Sequence, residues 1–152
     1  MSKSYQQFLK EQSGKTAVYT FGRFNPPTIG HEKLLRVVQT TSSKEGGDYF
    51  VYTSHSQDSK KNPLSHKQTI NFLKLIFPAH RAYIEDSTAT TALHAASDIY
   101  DKGGYSKLVM VVGSDRVRDF ASLLERYNDK KSKHGYYYFE SIEVVSAGER
   151  DP

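Results

Sequence analysis

Residues 16–31 read Thr16-Ala17-Val18-Tyr19-Thr20-Phe21-Gly22-Arg23-Phe24-Asn25-Pro26-Pro27-Thr28-Ile29-Gly30-His31, and their order decides the fold. The first six residues form a short β-rich run that Gly22 closes. From His31 the period changes: Leu34, Leu35 and Val38 share one face, which predicts a helix over 31–40. A strand that turns through a glycine into a helix is the opening of a β-α-β unit. Gly22 lets the backbone turn sharply and pass close to a ligand. Thr28 stands where an N-cap is expected, which would put His31 at the third helical position. Backbone N–H groups and the positive end of the helix dipole would then meet a hydroxyl and an imidazole at one anion-binding spot. Gly30 leaves room for a base or ribose over the helix start.

Outward from this junction the alternation repeats. Tyr49-Phe50-Val51-Tyr52-Thr53 is a second strand, preceded by the turn residues Gly46, Gly47 and Asp48. Ser65 opens a helix, with Gln68 at capping-box spacing, Ile70, Leu73 and Phe77 as its apolar stripe, and Pro78 as its stop. Ala82-Tyr83-Ile84 reads as a short strand, and Thr88–Tyr100 as a helix closed by Gly103-Gly104. Leu108–Val112 is a continuous apolar run, the pattern of a strand buried on both faces. Val117, Phe120, Leu124 and Tyr127 mark a further helix, and Tyr136–Val145 the last strand. Residues 1–15 form an N-terminal extension with a helical pattern at Tyr5, Phe8 and Leu9, ended by Gly14.

Together these elements predict an α/β fold: a Rossmann-like parallel sheet of about five strands with helices on both faces, one domain over 1–152. In such sheets ligands bind beyond the carboxyl ends of the strands. That directs attention to 22–31, 54–65, 85–88, 113–116 and the stretch from Ser146 onward.

Composition narrows the function classes. With 37% hydrophobic and 25% charged residues over 152, the chain is ordinary for a globular protein able to bury a sizeable core. No apolar run approaches the length of a membrane span, and residues 1–14 lack the apolar region of a secretory signal. The absence of cysteine excludes disulfides and thiolate metal sites, so a cytoplasmic location is expected. The six histidines show no zinc-ligand spacing. A net charge of +4 suits a phosphate-binding enzyme, and nucleic acid is not the expected partner. Lys60-Lys61 and Lys130-Lys131-Lys133 read as solvated loops.

The Gly22–His31 string is neither a G-x-G-x-x-G fingerprint nor a Walker A loop. It resembles the G-x-F-x-P-x-[H/T]-x-G-H signature of the nucleotidyltransferase superfamily. That superfamily includes nicotinamide mononucleotide, pantetheine-phosphate and FMN adenylyltransferases, and glycerol-phosphate and choline-phosphate cytidylyltransferases. Gly22-Arg23-Phe24 followed by Pro26 is most similar to nicotinamide mononucleotide adenylyltransferases of the archaeal type. Thr28, in place of the first histidine, is similar to pantetheine-phosphate adenylyltransferases. Class I aminoacyl-tRNA synthetases share the histidine motif but are far larger than this chain.

The resemblance assigns expected roles. Thr28 and His31 would bind the triphosphate and stabilise charge during transfer. Gly22 and Gly30 would pack against the nucleotide, with Phe24 and Asn25 in the same loop and Arg23 reaching a phosphate. In Gly113-Ser114-Asp115-Arg116, capping and the helix dipole alone account for Ser114 and Asp115. The resemblance adds contact with the nucleotide or acceptor, with Arg116 on phosphate. Lys60–Ser65 is similar to an N-P-F-T stretch of the archaeal-type enzymes. Gln68 and Thr69 stand where those enzymes continue into an E-R pair, so the arginine role is lost or passes to Lys67.

Val145–Arg150 is close to the late I-S-S-T-x-x-R signature, with its arginine one position early. Ser146 and Arg150 thereby become candidates for the terminal phosphates. The expectation is a chain that stops at Pro152 short of the full motif, with a divergent form of the motif as the other reading.

The implied chemistry is transfer of AMP from ATP to a phosphorylated acceptor such as nicotinamide mononucleotide, with Mg2+ held mainly by the triphosphate and no protein metal ligand. The alternatives are a cytidylyltransferase using CTP and a phospho-alcohol, and a non-catalytic nucleotide-binding module of the same fold.

Overall fold

The computed structural model describes residues 14–24, 27–55 and 63–148. The expected N-terminal helix, and Asn25, Lys60, Lys61 and Arg150 among the residues singled out above, lie outside them.

Among the described residues, β1 (Lys15–Gly22), β2 (Asp48–Thr53), β3 (Tyr105–Val112) and β4 (Ser141–Ser146) form a four-stranded parallel sheet in the order β2-β1-β3-β4. The helices are α1 (His31–Glu45), α2 (His66–Ile76), α3 (Ala92–Lys102) and α4 (Val117–Arg126). The fold is α/β and Rossmann-like, with helices on both faces.

The apolar run of β3 explains this layering. Leu108 to Val112 are all buried, and successive side chains point to opposite faces. Leu108, Met110 and Val112 join a core with Ala92, Leu93, Ala96 and Ile99 of α3 and Leu124 of α4. Val109 and Val111 join the other core, with Leu35 and Val38 of α1 and Ile70 and Leu73 of α2. Each such aliphatic side chain contributes about 1.5–3 kcal/mol when fully buried.

Helix ends follow local chemistry. α1 continues beyond Thr40 because residues 41–45 contain neither Gly nor Pro. Gly46 ends it in the left-handed region at φ 68°, and the Gly47 N–H caps the Ser42 carbonyl at 2.9 Å. α2 has the expected capping box: Ser65 Oγ accepts from the Gln68 N–H, and the Gln68 side chain accepts from the Ser65 N–H. α3 begins at Ala92, later than expected, because Thr91 caps it by accepting from the His94 N–H.

Two strand expectations are corrected. Ala82-Tyr83-Ile84 is not a strand. Pro78 starts a 3₁₀ turn, Pro78–Tyr83, and only Ile84 bridges β2, in parallel with Val51. The sheet therefore has four strands where about five were expected. The last strand spans Ser141–Ser146 and excludes Tyr136–Glu140. Asn128 takes that segment's backbone: its amide donates to the Phe139 carbonyl at 3.0 Å and accepts the Phe139 N–H at 2.9 Å.

Candidate functional site

The carboxyl ends of β1 and β3, the exit of β4 and the start of α1 surround a cleft of about 880 Å³. Its centre is the β1–α1 loop. Phe24 lies there at φ 45°, a conformation costly for a non-glycine residue, and its ring is 2% exposed in the core beneath the loop. Burial of that ring holds the strained turn, and the ring meets the His31 imidazole edge-on at 4.7 Å. A β-carbon on Gly22 would stand 3.1 Å from the Phe24 ring, so this glycine makes room for the phenylalanine.

The cap expectation for Thr28 is corrected. Gly30 is the N-cap, in a helical conformation at φ −59°, and His31 is the first helical residue rather than the third. The Thr28 carbonyl accepts the His31 N–H at 3.0 Å, and the Thr28 N–H donates back to His31 Nδ1 at 3.0 Å. The Thr28 hydroxyl lies 3.4 Å from the same nitrogen. Since Nδ1 accepts, the neutral ring carries its proton on Nε2 and presents that atom as a donor.

Thr28, Gly30 and His31 all line the cleft, as do Gly22, Arg23, Phe24, Gly113 and Arg116. The Arg116 guanidinium lies 5.2 Å from the Phe120 ring centroid, a cation–π contact that steadies it. Ser114, Asp115 and Ser146 are not among the lining residues. Ser114–Arg116 is a 3₁₀ turn in which no side chain caps, so the cap expected of Ser114 is also corrected. The Ser146 hydroxyl is engaged locally, accepting the Gly148 N–H at 2.9 Å. Gln68 and Thr69 are taken up by the start of α2, where the Thr69 hydroxyl donates to the Ser65 carbonyl at 3.0 Å.

The lining also holds Lys33 and Thr90, which the sequence analysis did not single out, and Ser54 and Gly148, which lie in stretches it flagged without giving them a role. Lys33 could have been found as a cation in the first turn of the helix that follows the Gly-rich loop. Ser54 is pinned by its N–H to the Gly22 carbonyl at 2.8 Å, directly beyond the paired residues Gly22 and Thr53. The hydroxyls of Thr53 and Ser54 are buried with no hydrogen-bond partner among the described residues. A buried orphan hydroxyl costs about 1–3 kcal/mol, which a ligand or water in the cleft would offset.

The charge of the lining has one sign. Arg23, Lys33 and Arg116 reach the cleft beside His31, and no Asp or Glu is found among the described lining residues. Nor, among the described residues, does any group of three or more His, Cys, Asp or Glu stand where it could hold a metal ion. Such a cleft attracts polyanions and stabilises negative charge that develops inside it. No helix among the described residues is long and apolar enough to cross a membrane.

Residues 19–142 match the model of the cytidylyltransferase-like family. The chain belongs to that family. Membership places it in the histidine-motif nucleotidyltransferase superfamily that its first loop resembles, and supports a nucleotidyltransferase-type function. The match takes in the Gly22–His31 loop and the Gly113–Arg116 turn, whereas Ser146 and Arg150 fall beyond it. No curated protein and no solved structure matches the chain significantly. Within the cytidylyltransferase-like fold the cleft occupies the carboxyl side of the parallel sheet, where open α/β sheets bind ligands.

Proposed function

We propose that this cytidylyltransferase-like protein transfers AMP from ATP to a small phosphorylated acceptor such as nicotinamide mononucleotide, releasing pyrophosphate. The observation that carries the reading is the cleft lined by Arg23, His31, Lys33 and Arg116 with no carboxylate among the described lining residues. ATP is favoured over CTP by the Gly22-Arg23-Phe24…Pro26 pattern, which is most similar to adenylyltransferases.

In this reading an oxygen of the acceptor phosphate attacks the α-phosphorus in line, the bond to the bridging oxygen breaks, and pyrophosphate leaves with both electrons. The acceptor phosphate is already ionised, so no protein base is needed. Catalysis rests on positioning and on stabilising charge. His31 Nε2–H donates to an α-phosphate oxygen, and the Thr28 amide fixes the tautomer that makes this possible. Thr28 adds a hydroxyl beside it, and Arg23 and Arg116 balance phosphate charge from the loop and from the turn after β3. Mg2+ fits such a lining through the phosphates alone, where it would neutralise the triphosphate and help the pyrophosphate to leave.

The test is a pyrophosphate-release screen of the four nucleoside triphosphates against a panel of phosphorylated acceptors. Release requiring both ATP and a nucleotide-type acceptor is expected. Release with CTP and a phospho-alcohol would replace the reading by a cytidylyltransferase. Nucleotide binding without turnover on any pair would leave only a binding module.

A further inference from the structure

We infer that Lys33 grips the leaving pyrophosphate, a role that rests on the proposed nucleotidyl transfer and names the residue serving its charged product. Lys33 belongs to the first turn of α1 and lines the same cleft as His31. The exit of β4 comes to meet it. A β-carbon built on Gly148 would lie 3.0 Å from Lys33 Nζ and 3.2 Å from its Cε, and Gly148 holds φ 96°. A side chain there is disfavoured twice, by the backbone conformation and by the lysine.

That exit is itself fixed. The Ala147 N–H donates to the Val112 carbonyl at 2.8 Å, and the Gly148 N–H donates to Ser146 Oγ at 2.9 Å. The Lys33 ammonium therefore lies between the first turn of α1 and the hydrogen-bonded exit of β4, on the β3–β4 side of the cleft. Arg116 enters the cleft from that side as well. On the β2 side the described lining residues include the hydroxyl-bearing Ser54 and Thr90.

When the α-phosphorus is attacked, negative charge accumulates on the bridging oxygen and the departing diphosphate. A lysine held there neutralises more charge in the transition state than in the bound substrate, so it acts on turnover.

The experiment uses the whole chain and two probes, inorganic tripolyphosphate and AMP, each titrated by calorimetry into wild type, Lys33→Ala and Lys33→Arg. Pyrophosphate release is measured alongside. Lys33→Ala is expected to weaken tripolyphosphate binding at least tenfold while AMP binding changes less than twofold. Its kcat should fall more than its KM rises, with Lys33→Arg restoring most of both losses.

Wild-type tripolyphosphate affinity in Lys33→Ala would overturn the assignment, and turnover by the wild-type chain would then still uphold nucleotidyl transfer. Loss of AMP binding in parallel with tripolyphosphate would also overturn it, since Lys33 would then be supporting the whole cleft. Selective loss of tripolyphosphate in a chain that turns over no substrate pair would uphold the lysine's grip and sink the transfer reaction. A wild-type chain that binds neither probe would overturn both.

Discussion

The two ends of the parallel sheet use the same charged residue types in opposite ways. At the amino ends of the strands, Lys15 lies 2.9 Å from Asp48, which also accepts the Tyr105 hydroxyl at 2.6 Å. These two contacts, the Tyr105 hydrogen bond foremost, hold the Asp48 carboxyl below its usual range. Lys107 sits 3.2 Å from Glu45 and 3.4 Å from Glu143 and is raised by those partners. At the carboxyl ends, by contrast, Arg23, Lys33 and Arg116 share a cleft that no described Asp or Glu lines. Cations matched to carboxylates fasten strands and helices together. Cations gathered in one cleft make a field that attracts a polyanion. Stability should therefore be sensitive at the amino end and turnover at the other.

The sharpest break of that comparison is His31→Ala. It should lower turnover by about a hundredfold or more, roughly 2.7 kcal/mol of barrier, with little change in the melting temperature. Rates and thermal melts on one preparation decide it. A large fall in melting temperature would mean that the His31–Phe24 contact is structural and that the two ends are not separable in this way.

Gly47→Ala is the mirror experiment. Its β-carbon would stand 2.0 Å from the Thr16 carbonyl oxygen, a backbone atom that cannot swing aside. Overpacking β1 should cost about 2 kcal/mol, or roughly 4–8 °C in melting temperature, with turnover per folded molecule unchanged. A stable variant with lost activity would reverse the assignment of the two ends.

Ser54→Ala probes the boundary. Removing a buried hydroxyl that has no partner should leave stability unchanged or slightly raised, because the orphan's desolvation cost disappears. The same change should weaken binding of one substrate about fivefold, near 1 kcal/mol. Chemical denaturation and substrate titration read the two effects separately. A destabilised Ser54→Ala variant would mean that the hydroxyl is satisfied within the fold and belongs to the scaffold.

What could be read from the sequence divides along the same line. The layering was legible because β3 is apolar at every position from Leu108 to Val112, which only burial on both faces explains. The start of α2 was legible because Ser65 and Gln68 make a local capping box. Strand Ala82–Ile84 was misread because Pro78 commits the backbone to a 3₁₀ turn, which short-window β propensity does not capture. Tyr136–Glu140 was misread because Asn128 competes for its backbone from a distant loop. In the cleft, the Gly22–His31 loop was legible as one contiguous string. Ser54 and Gly148 were legible only as parts of loops at the ligand end, and Thr90 not at all, since each comes from a different strand or helix end and only folding brings them to one cleft.

The smallest effect concerns pH at the amino end. Tyr49, near the start of β2, faces the buried His80, with 2.9 Å between its hydroxyl and His80 Nδ1. Burial pushes the Tyr49 phenol up to about 12, so the phenol keeps its proton beside the imidazole. Burial also lowers the His80 pKa, against the opposing pull of the Glu32 carboxylate on α1. The folded state therefore resists a proton that the unfolded chain accepts near pH 6.5. Stability is level above that value and falls as pH drops from the ordinary histidine range towards the lower folded pKa. The slope from one such group is at most about 1.4 kcal/mol per pH unit. His66 and His134 are lowered as well and act in the same window, so the wild-type slope has several contributors. Replacing His80 by glutamine keeps a hydrogen-bonding partner for Tyr49 and removes the titration. Unfolding free energies measured at pH 7, 6 and 5 should fall less steeply in His80→Gln than in wild type, while the pH profile of turnover keeps its shape. Parallel stability curves would show that the buried imidazole takes up its proton without breaking the Tyr49 contact.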